Sequence, residues 1–391
     1  MNSILQSIKV KISCFIIILS FISSSSFYAQ VTEYDLTIAK EEINITGESA
    51  NAMTINGGIP GPTLRFTEGD SAVINVHNKM DVETSIHWHG VLVPPSMDGV
   101  PFVSFPPIAA KTTFTYKFPI RQSGTFWYHS HTSLQEQSGV YGSIVIEPKL
   151  KSENDNLKDF VLLLSDWTDE NPYSALRLLK RGSEWFSLAK GSSQSILGAA
   201  SVGLLGDYFS RELQRMPAMD IADIAYNRFL INGSPNSVID ENSDEQIRLR
   251  IINGSASSYF FVEFAGGDMK IISADGMNVE PVNIKRLLIG VAETYDVIIN
   301  ISQAGMYEFR ATAHDGSAYA SAWFGNGMKH EAPYIPNPNL YISMGGLSFS
   351  KVFALTPAGA MGMPDSKVEA GMFDKPGMNM DMDDMDMPNM E

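Results

Sequence analysis

The chain is almost without cysteine. Among its 391 residues Cys14 is the one thiol, and it falls in an N-terminal segment that reads as removed on export. A mature chain starting near residue 30 therefore forms no internal disulfide. Nor can it build a blue, electron-accepting copper site, which requires a cysteine thiolate. Long apolar runs are missing too. The stretch Cys14-Phe15-Ile16-Ile17-Ile18-Leu19-Ser20-Phe21-Ile22 is too short for the ~20 residues that cross a bilayer. Lys9 and Lys11 precede it, and a serine cluster and Phe27-Tyr28-Ala29 follow. This pattern predicts a secretory signal peptide over residues 1–29, hence an exported protein with no membrane anchor after cleavage. Positive charge is scarce as well: 28 Lys and Arg face 44 Asp and Glu, for a formal net charge of −16. Removing the signal segment takes away two lysines and no acids, so the balance becomes more negative still. Such a surface repels nucleic acid and attracts cations.

What the chain has in quantity is short β-type runs between Gly, Pro and Asn turns. Ser71-Ala72-Val73-Ile74-Asn75-Val76, Thr113-Phe114-Thr115-Tyr116-Lys117-Phe118, Gly142-Ser143-Ile144-Val145-Ile146 and Arg248-Leu249-Arg250-Ile251-Ile252 are examples. Their period-2 pattern and close spacing predict an all-β architecture of sandwiches or barrels. A helical pattern occupies about 171–216, with helices around Ala175–Leu179 and Tyr208–Leu213, and reads as an insertion in the β framework. An internal repeat is visible. Ile55-Asn56-Gly57 precedes a strand ending at Asn78, and Ile231-Asn232-Gly233 precedes one ending at Asn253. One sandwich unit used twice explains this, with a first domain near 30–150 and a second near 151–355. From 356 to 391 the chain turns to interleaved Met and Asp, without core periodicity, and is expected to be disordered.

Four of the seven histidines fall in two His-x-His pairs, His87-Trp88-His89 and His129-Ser130-His131. Residues i and i+2 of a strand share a face, so each pair offers two imidazoles on one side while Trp88 points into packing. Two neighbouring strands of this kind would converge four imidazoles on a small volume, a donor set that suits copper or zinc. Phe126, Trp127 and Tyr128 are expected in the sandwich core, and Trp185 and Phe186 in the core of the helical insert. His77, His314 and His330 stand alone and receive no role. Asn-Gly-Ser at 232–234 and 253–255 reads as turns. In the tail, nine methionines lie between Met361 and Met390. Thioethers are soft ligands, so Met378, Met380, Met382, Met385 and Met387 are candidate Cu(I) ligands.

Ile86-His87-Trp88-His89-Gly90, followed by Phe126-Trp127-Tyr128-His129-Ser130-His131, resembles the first-domain signature of multicopper oxidases. Leu134-Gln135-Glu136-Gln137-Ser138-Gly139-Val140-Tyr141-Gly142 is similar to the copper-resistance oxidases exported by bacteria. So are Ser165-Asp166-Trp167-Thr168-Asp169-Glu170, Ala274-Asp275-Gly276 and Gly290-Val291-Ala292-Glu293-Thr294-Tyr295-Asp296-Val297. The resemblance covers essentially the whole mature chain, methionine-rich tail included. It implies two cupredoxin-like (plastocyanin-like) Greek-key sandwiches in a periplasmic oxidoreductase of copper resistance, which oxidises Cu(I) or phenolic donors and reduces O2 to water. In that family a trinuclear copper cluster lies between the first and third domains. By position, His87 would ligate the type 2 copper, and His89, His129 and His131 the type 3 pair. Asp98 stands where related enzymes place a proton-relaying acid, although Asp98-Gly99 also reads as a simple turn.

The remaining cluster histidines and the His-Cys-His type 1 motif have no match in this sequence. The resemblance therefore predicts half a ligand set and no type 1 site. A fragment, a truncated product or one partner of a split enzyme would each explain that, the partner being a missing or separate third cupredoxin domain. The alternative to an oxidase is a non-catalytic periplasmic protein that sequesters copper with the four histidines and the methionine tail.

Overall fold

Alternation such as that in Ser71–Asn78, where every second side chain is buried, can be satisfied only if one strand face covers a core. A computed structural model describes residues 30–181, 184–213, 224–239, 245–301 and 305–337. The signal segment and the Met/Asp tail, with Met378, Met380, Met382, Met385 and Met387, lie outside the described residues, as do 182–183 and 214–216 of the helical insert. The first sandwich consists of β1 (Val31–Ile43), β2 (Ala50–Ile55), β3 (Leu64–Thr67), β4 (Ser71–Asn78), β5 (His87–His89), β6 (Thr113–Pro119), β7 (Gly124–His129) and β8 (Tyr141–Glu147). The second begins with β9 (Lys158–Trp167), β10 (Arg228–Ile231), β11 (Asn236–Ile239), β12 (Glu245–Asn253), β13 (Phe260–Phe264) and β14 (Met269–Ala274). It continues with β15 (Met277–Ile284), β16 (Arg286–Ile289), β17 (Thr294–Ile301), β18 (Gly305–Ala313), β19 (Tyr319–Asn326) and β20 (Lys329–His330).

The repeat seen in sequence is a repeat of topology. The first sandwich pairs a β2-β1-β4-β6 sheet with a β3-β8-β7-β5 sheet. The second preserves both orders as β10-β9-β12-β17 and β11-β19-β18-β13, extending them at the edges with β14-β15 and β16. β1 runs parallel to β4 as β9 does to β12, and β3 runs parallel to β8 as β11 does to β19. The two Asn-Gly turns are equivalent down to their hydrogen bonds. Asn56 accepts from Thr37 N–H and donates to the Asp35 carbonyl; Asn232 accepts from Leu163 N–H and donates to the Val161 carbonyl. Each side chain thereby ties the turn to the first strand of its own sandwich.

Each sandwich has its own core. Trp88, Tyr116, Phe126 and Tyr128 are buried in the first, and Phe229, Phe260, Phe309 and Phe324 in the second. Two smaller clusters bridge them: Ala50 and Ala52 against Trp167 and Leu230, and Trp127 and Tyr141 against Leu163 and Ile252. The helical insert differs from the expected pair of helices. Among the described residues it comprises four short ones, α1 (Pro172–Lys180), α2 (Trp185–Lys190), α3 (Ile196–Ser201) and α4 (Leu205–Leu213). Gly191, at φ 68°, ends α2 in a left-handed cap, and Ser195 restarts the helix by accepting from Gly198 N–H. Trp185 is a further correction. Phe186 is buried, but Trp185 is 54% exposed, because adjacent helical residues point about 100° apart and only one can face inward. Among the described residues no helix is long and apolar enough to cross a membrane.

Candidate metal centre

β5 is three residues long and pairs antiparallel with β7, placing His87 opposite His129, Trp88 opposite Tyr128 and His89 opposite Trp127. Alternation then sorts the side chains. Trp88, Phe126 and Tyr128 enter the core of the first sandwich, while His87, His89, Trp127 and His129 share the other face. Trp127 thus serves a different core from its neighbours, the cluster that joins the two sandwiches. His131 lies just beyond β7 rather than within it. Its backbone N–H donates to Ser85 Oγ at 3.1 Å, which holds the turn so that its ring rejoins the others.

The structure brings all four imidazoles together. Ring centroids of His87 lie 5.8, 5.6 and 5.0 Å from those of His89, His129 and His131, and His129 to His131 measures 5.0 Å. One nitrogen from each of His87, His89 and His129 lies within 4.8 Å of the other two. His129 is buried, His87 and His89 are half-buried and His131 is exposed, so the cluster has one open side.

The electrostatics favour neutral rings. Burial lowers the His89 pKa to about 4, helped by the neighbouring positive charge that His129 and His87 would carry. Burial also lowers that of His87, against the opposing hydrogen bond to Asp98, and that of His131. Near neutral pH these rings therefore present lone pairs rather than charge, the state a metal ion requires. A set of neutral imidazoles fits copper, zinc, iron or nickel, so the donors admit copper without selecting it.

Which nitrogen faces inward is legible for two of the rings. His87 Nδ1 lies 2.8 Å from the Asp98 carbonyl, leaving Nε2 free. His129 Nδ1 lies 2.7 Å from Glu136 Oε2, while its Nε2 sits 3.4 Å from His89 Nδ1. The Glu136 carboxylate is off the N–H direction, so this close pair is not an aligned hydrogen bond, and His129 Nδ1 has no other partner. Asp98 ends a short 3₁₀ turn (Pro95–Met97), and its own Oδ1 is 3.5 Å from His87 Nδ1. The following Gly99 has φ 76°, and a Cβ there would fall 1.8 Å from the Ile86 carbonyl oxygen. The Asp-Gly pair is thus both a turn and the clamp on His87.

Three supporting residues escaped the sequence reading. Trp127 stacks on His129 at 4.1 Å and 10°, although its position suggested only core packing. Glu136 and Gln135 belong to the stretch that carried the family resemblance, yet nothing local assigned them a task. Gln135 is buried, accepts from Thr84 and Ser130, and donates to the Glu83 carbonyl, which knits the 130–140 loop to the approach of β5.

Residues 37–151 and 158–328 each match a sequence family described as multicopper oxidase. Copper resistance protein A of Escherichia coli is 39% identical over 375 residues, covering 92% of this chain and 60% of its own. The Copper resistance protein A homolog of Pseudomonas syringae pv. tomato is 40% identical, covering 81% of this chain and 56% of its own. The chain thus spans somewhat over half the length of these relatives. The solved laccase from Botrytis aclada superposes with a TM-score of 0.59 at 27% identity, over 79% of this chain and 54% of the laccase. With two matched regions that take in most of the described residues, the chain belongs to the multicopper oxidase family.

Proposed function

We propose that this chain supplies four imidazole ligands of a trinuclear copper centre: His87 to the type 2 ion and His89, His129 and His131 to the type 3 pair. The observation that carries the proposal is the convergence of the four rings, with His87 5.0–5.8 Å from each of the other three, three on one sheet face and His131 just beyond its edge. Bound copper would cycle between Cu(I) and Cu(II), letting electrons from Cu(I) or a phenolic donor reduce O2 to water. The protein's part is to hold the donors. β5 and β7 set the spacing, the Asp98 carbonyl fixes His87, and Trp127 braces the plane of His129. The exposed ring of His131 leaves one side of the cluster open, from which a further cupredoxin domain would supply the remaining ligands. Asp98 Oδ1, part-exposed beside His87, is placed to hold a proton between solvent and the cluster. Export to the periplasm, a division near residue 150 and Cu(I) capture by the methionine tail complete the reading.

One observation favours a second reading, in which the chain sequesters copper without turnover: outside Cys14 it has no thiolate through which electrons could enter. Oxygen uptake by copper-loaded protein with a Cu(I) or phenolic donor separates the two. Uptake that disappears in His87→Gln and His129→Gln supports the oxidase. Stoichiometric copper without uptake supports sequestration. Copper retained equally by wild type and both variants refutes the ligand assignment.

A further inference from the structure

His129 is the most buried of the four histidines, and a buried polar nitrogen left without a partner is destabilising. Its Nδ1 makes no aligned hydrogen bond, and the polar atom beside it is Glu136 Oε2 at 2.7 Å. A neutral imidazole carries one proton, so the choice of nitrogen decides which one can bind a metal. Two arrangements compete. In one, Nε2–H donates to His89 Nδ1 across 3.4 Å; in the other, the proton sits on Nδ1, 2.7 Å from Glu136 Oε2 although that oxygen is off the N–H direction. The Nδ1–H form is favoured, because it sets a ring proton beside the nearby carboxylate oxygen, whereas the Nε2–H form would set the Nδ1 lone pair against that oxygen.

We infer that Glu136 is a positioning residue: it holds the proton of His129 on Nδ1 and keeps the Nε2 lone pair directed toward His89 and the cluster. The inference rests on the proposed copper site but is a separate statement about this chain's own residues. The geometry around the ring is complete on two sides. Trp127 stacks on its face and fixes the plane; Glu136 meets its edge and fixes the rotation within that plane. Glu136 is itself held by the loop that begins at His131, where the Glu136 carbonyl accepts from Gly139 N–H and the adjacent Gln135 anchors the loop to Glu83. The Nδ1 of His87 is secured by a backbone carbonyl, which substitution of Asp98 itself would not remove. His129 depends on a side chain, so its orientation can be altered by substitution.

The test uses full-length, metal-free protein labelled with ¹⁵N at histidine, the His129 signals being identified by their loss in His129→Gln. Wild type is expected to show His129 as the Nδ1–H tautomer. Glu136→Ala should move it toward the Nε2–H form, and Glu136→Gln, which retains an acceptor oxygen, should largely restore the wild-type signal. Copper affinity, measured by competition with a chelator, should fall about 10–100-fold in Glu136→Ala and less in Glu136→Gln, the range found when a ligand's supporting contact is lost. Circular dichroism establishes that each variant is folded; should Glu136→Ala not fold, Glu136→Leu, similar in size and without an acceptor oxygen, takes its place and should show the same shift toward the Nε2–H form. An unchanged tautomer together with unchanged copper affinity overturns the role of Glu136 while leaving the copper site intact. Wild type that binds no copper through the histidines overturns the site itself, and the tautomer result still stands or falls separately.

Discussion

Asp296 is the carboxylate on which the joint between the two sandwiches turns, and its removal should be costly. It is 1% exposed. One oxygen accepts from Arg248 Nε at 3.1 Å and Nη2 at 2.5 Å and lies 3.4 Å from Arg250 Nη1; the other accepts from Thr125 Oγ1 at 2.6 Å. Thr125 belongs to β7, four residues before His129, and its carbonyl also accepts from Thr294 Oγ1 of the second sandwich. Arg250 continues the network to Thr125, Glu147 and Asp159. Replacing Asp296 by Ala leaves two nearly buried guanidinium groups facing each other without their shared anion. Breaking a buried pair from one side costs about 3–5 kcal/mol, a large part of the ~5–15 kcal/mol that stabilises a typical domain. Urea unfolding followed by tryptophan fluorescence should therefore show a midpoint for Asp296→Ala lowered by about 1–5 M, taking an m-value of about 1–3 kcal/mol/M. Asp296→Asn, which preserves shape but loses charge, should fall between the two proteins. A loss below about 1 kcal/mol, the scale of an exposed pair, would refute the view that this network locks the sandwiches together.

Gly99→Ala should destabilise by at least about 1–2 kcal/mol from the left-handed backbone alone, and should weaken copper binding because the displaced Asp98 carbonyl releases His87; thermal melts and copper titration check both. Trp127→Leu removes the ring stacked on His129, and should cost about 1–3 kcal/mol in chemical unfolding while broadening the Cu(II) electron paramagnetic resonance signal. The Asp159 carboxyl is pushed up by burial but pulled further down by Arg250 and Arg65, so its folded pKa is lowered. Its contribution is thus complete above the unfolded value of about 3.9 and disappears as pH falls through the lower folded value. The stability gap between wild type and Asp159→Asn, measured by urea unfolding at pH 6 and again near pH 3, should narrow at the acid end.

The β class, the duplicated unit and the paired histidines were legible because each is written in local periodicity: alternate burial in Ser71–Asn78, matched Ile-Asn-Gly turns, and imidazoles two residues apart. What escaped depends on residues distant in sequence. Glu136 became significant only once the 130–140 loop folded back beneath His129. Thr125 and Asp296 lie 171 residues apart, and nothing in either neighbourhood announces that they meet. Trp127 read as core, which it is, but its face toward the second sandwich also makes it the platform for His129. Trp185 read as buried because aromatic residues usually are; a short helix offered one inward position there, and Phe186 took it.

The most direct measurement is anomalous diffraction at the copper edge from crystals of the copper-loaded chain. Copper is predicted on the shared face of β5 and β7, about 2 Å from imidazole nitrogens, as is usual for metal–histidine bonds, with His129 bonding through Nε2. Copper found only elsewhere, with the rings of His87, His89, His129 and His131 free of metal, would contradict the account.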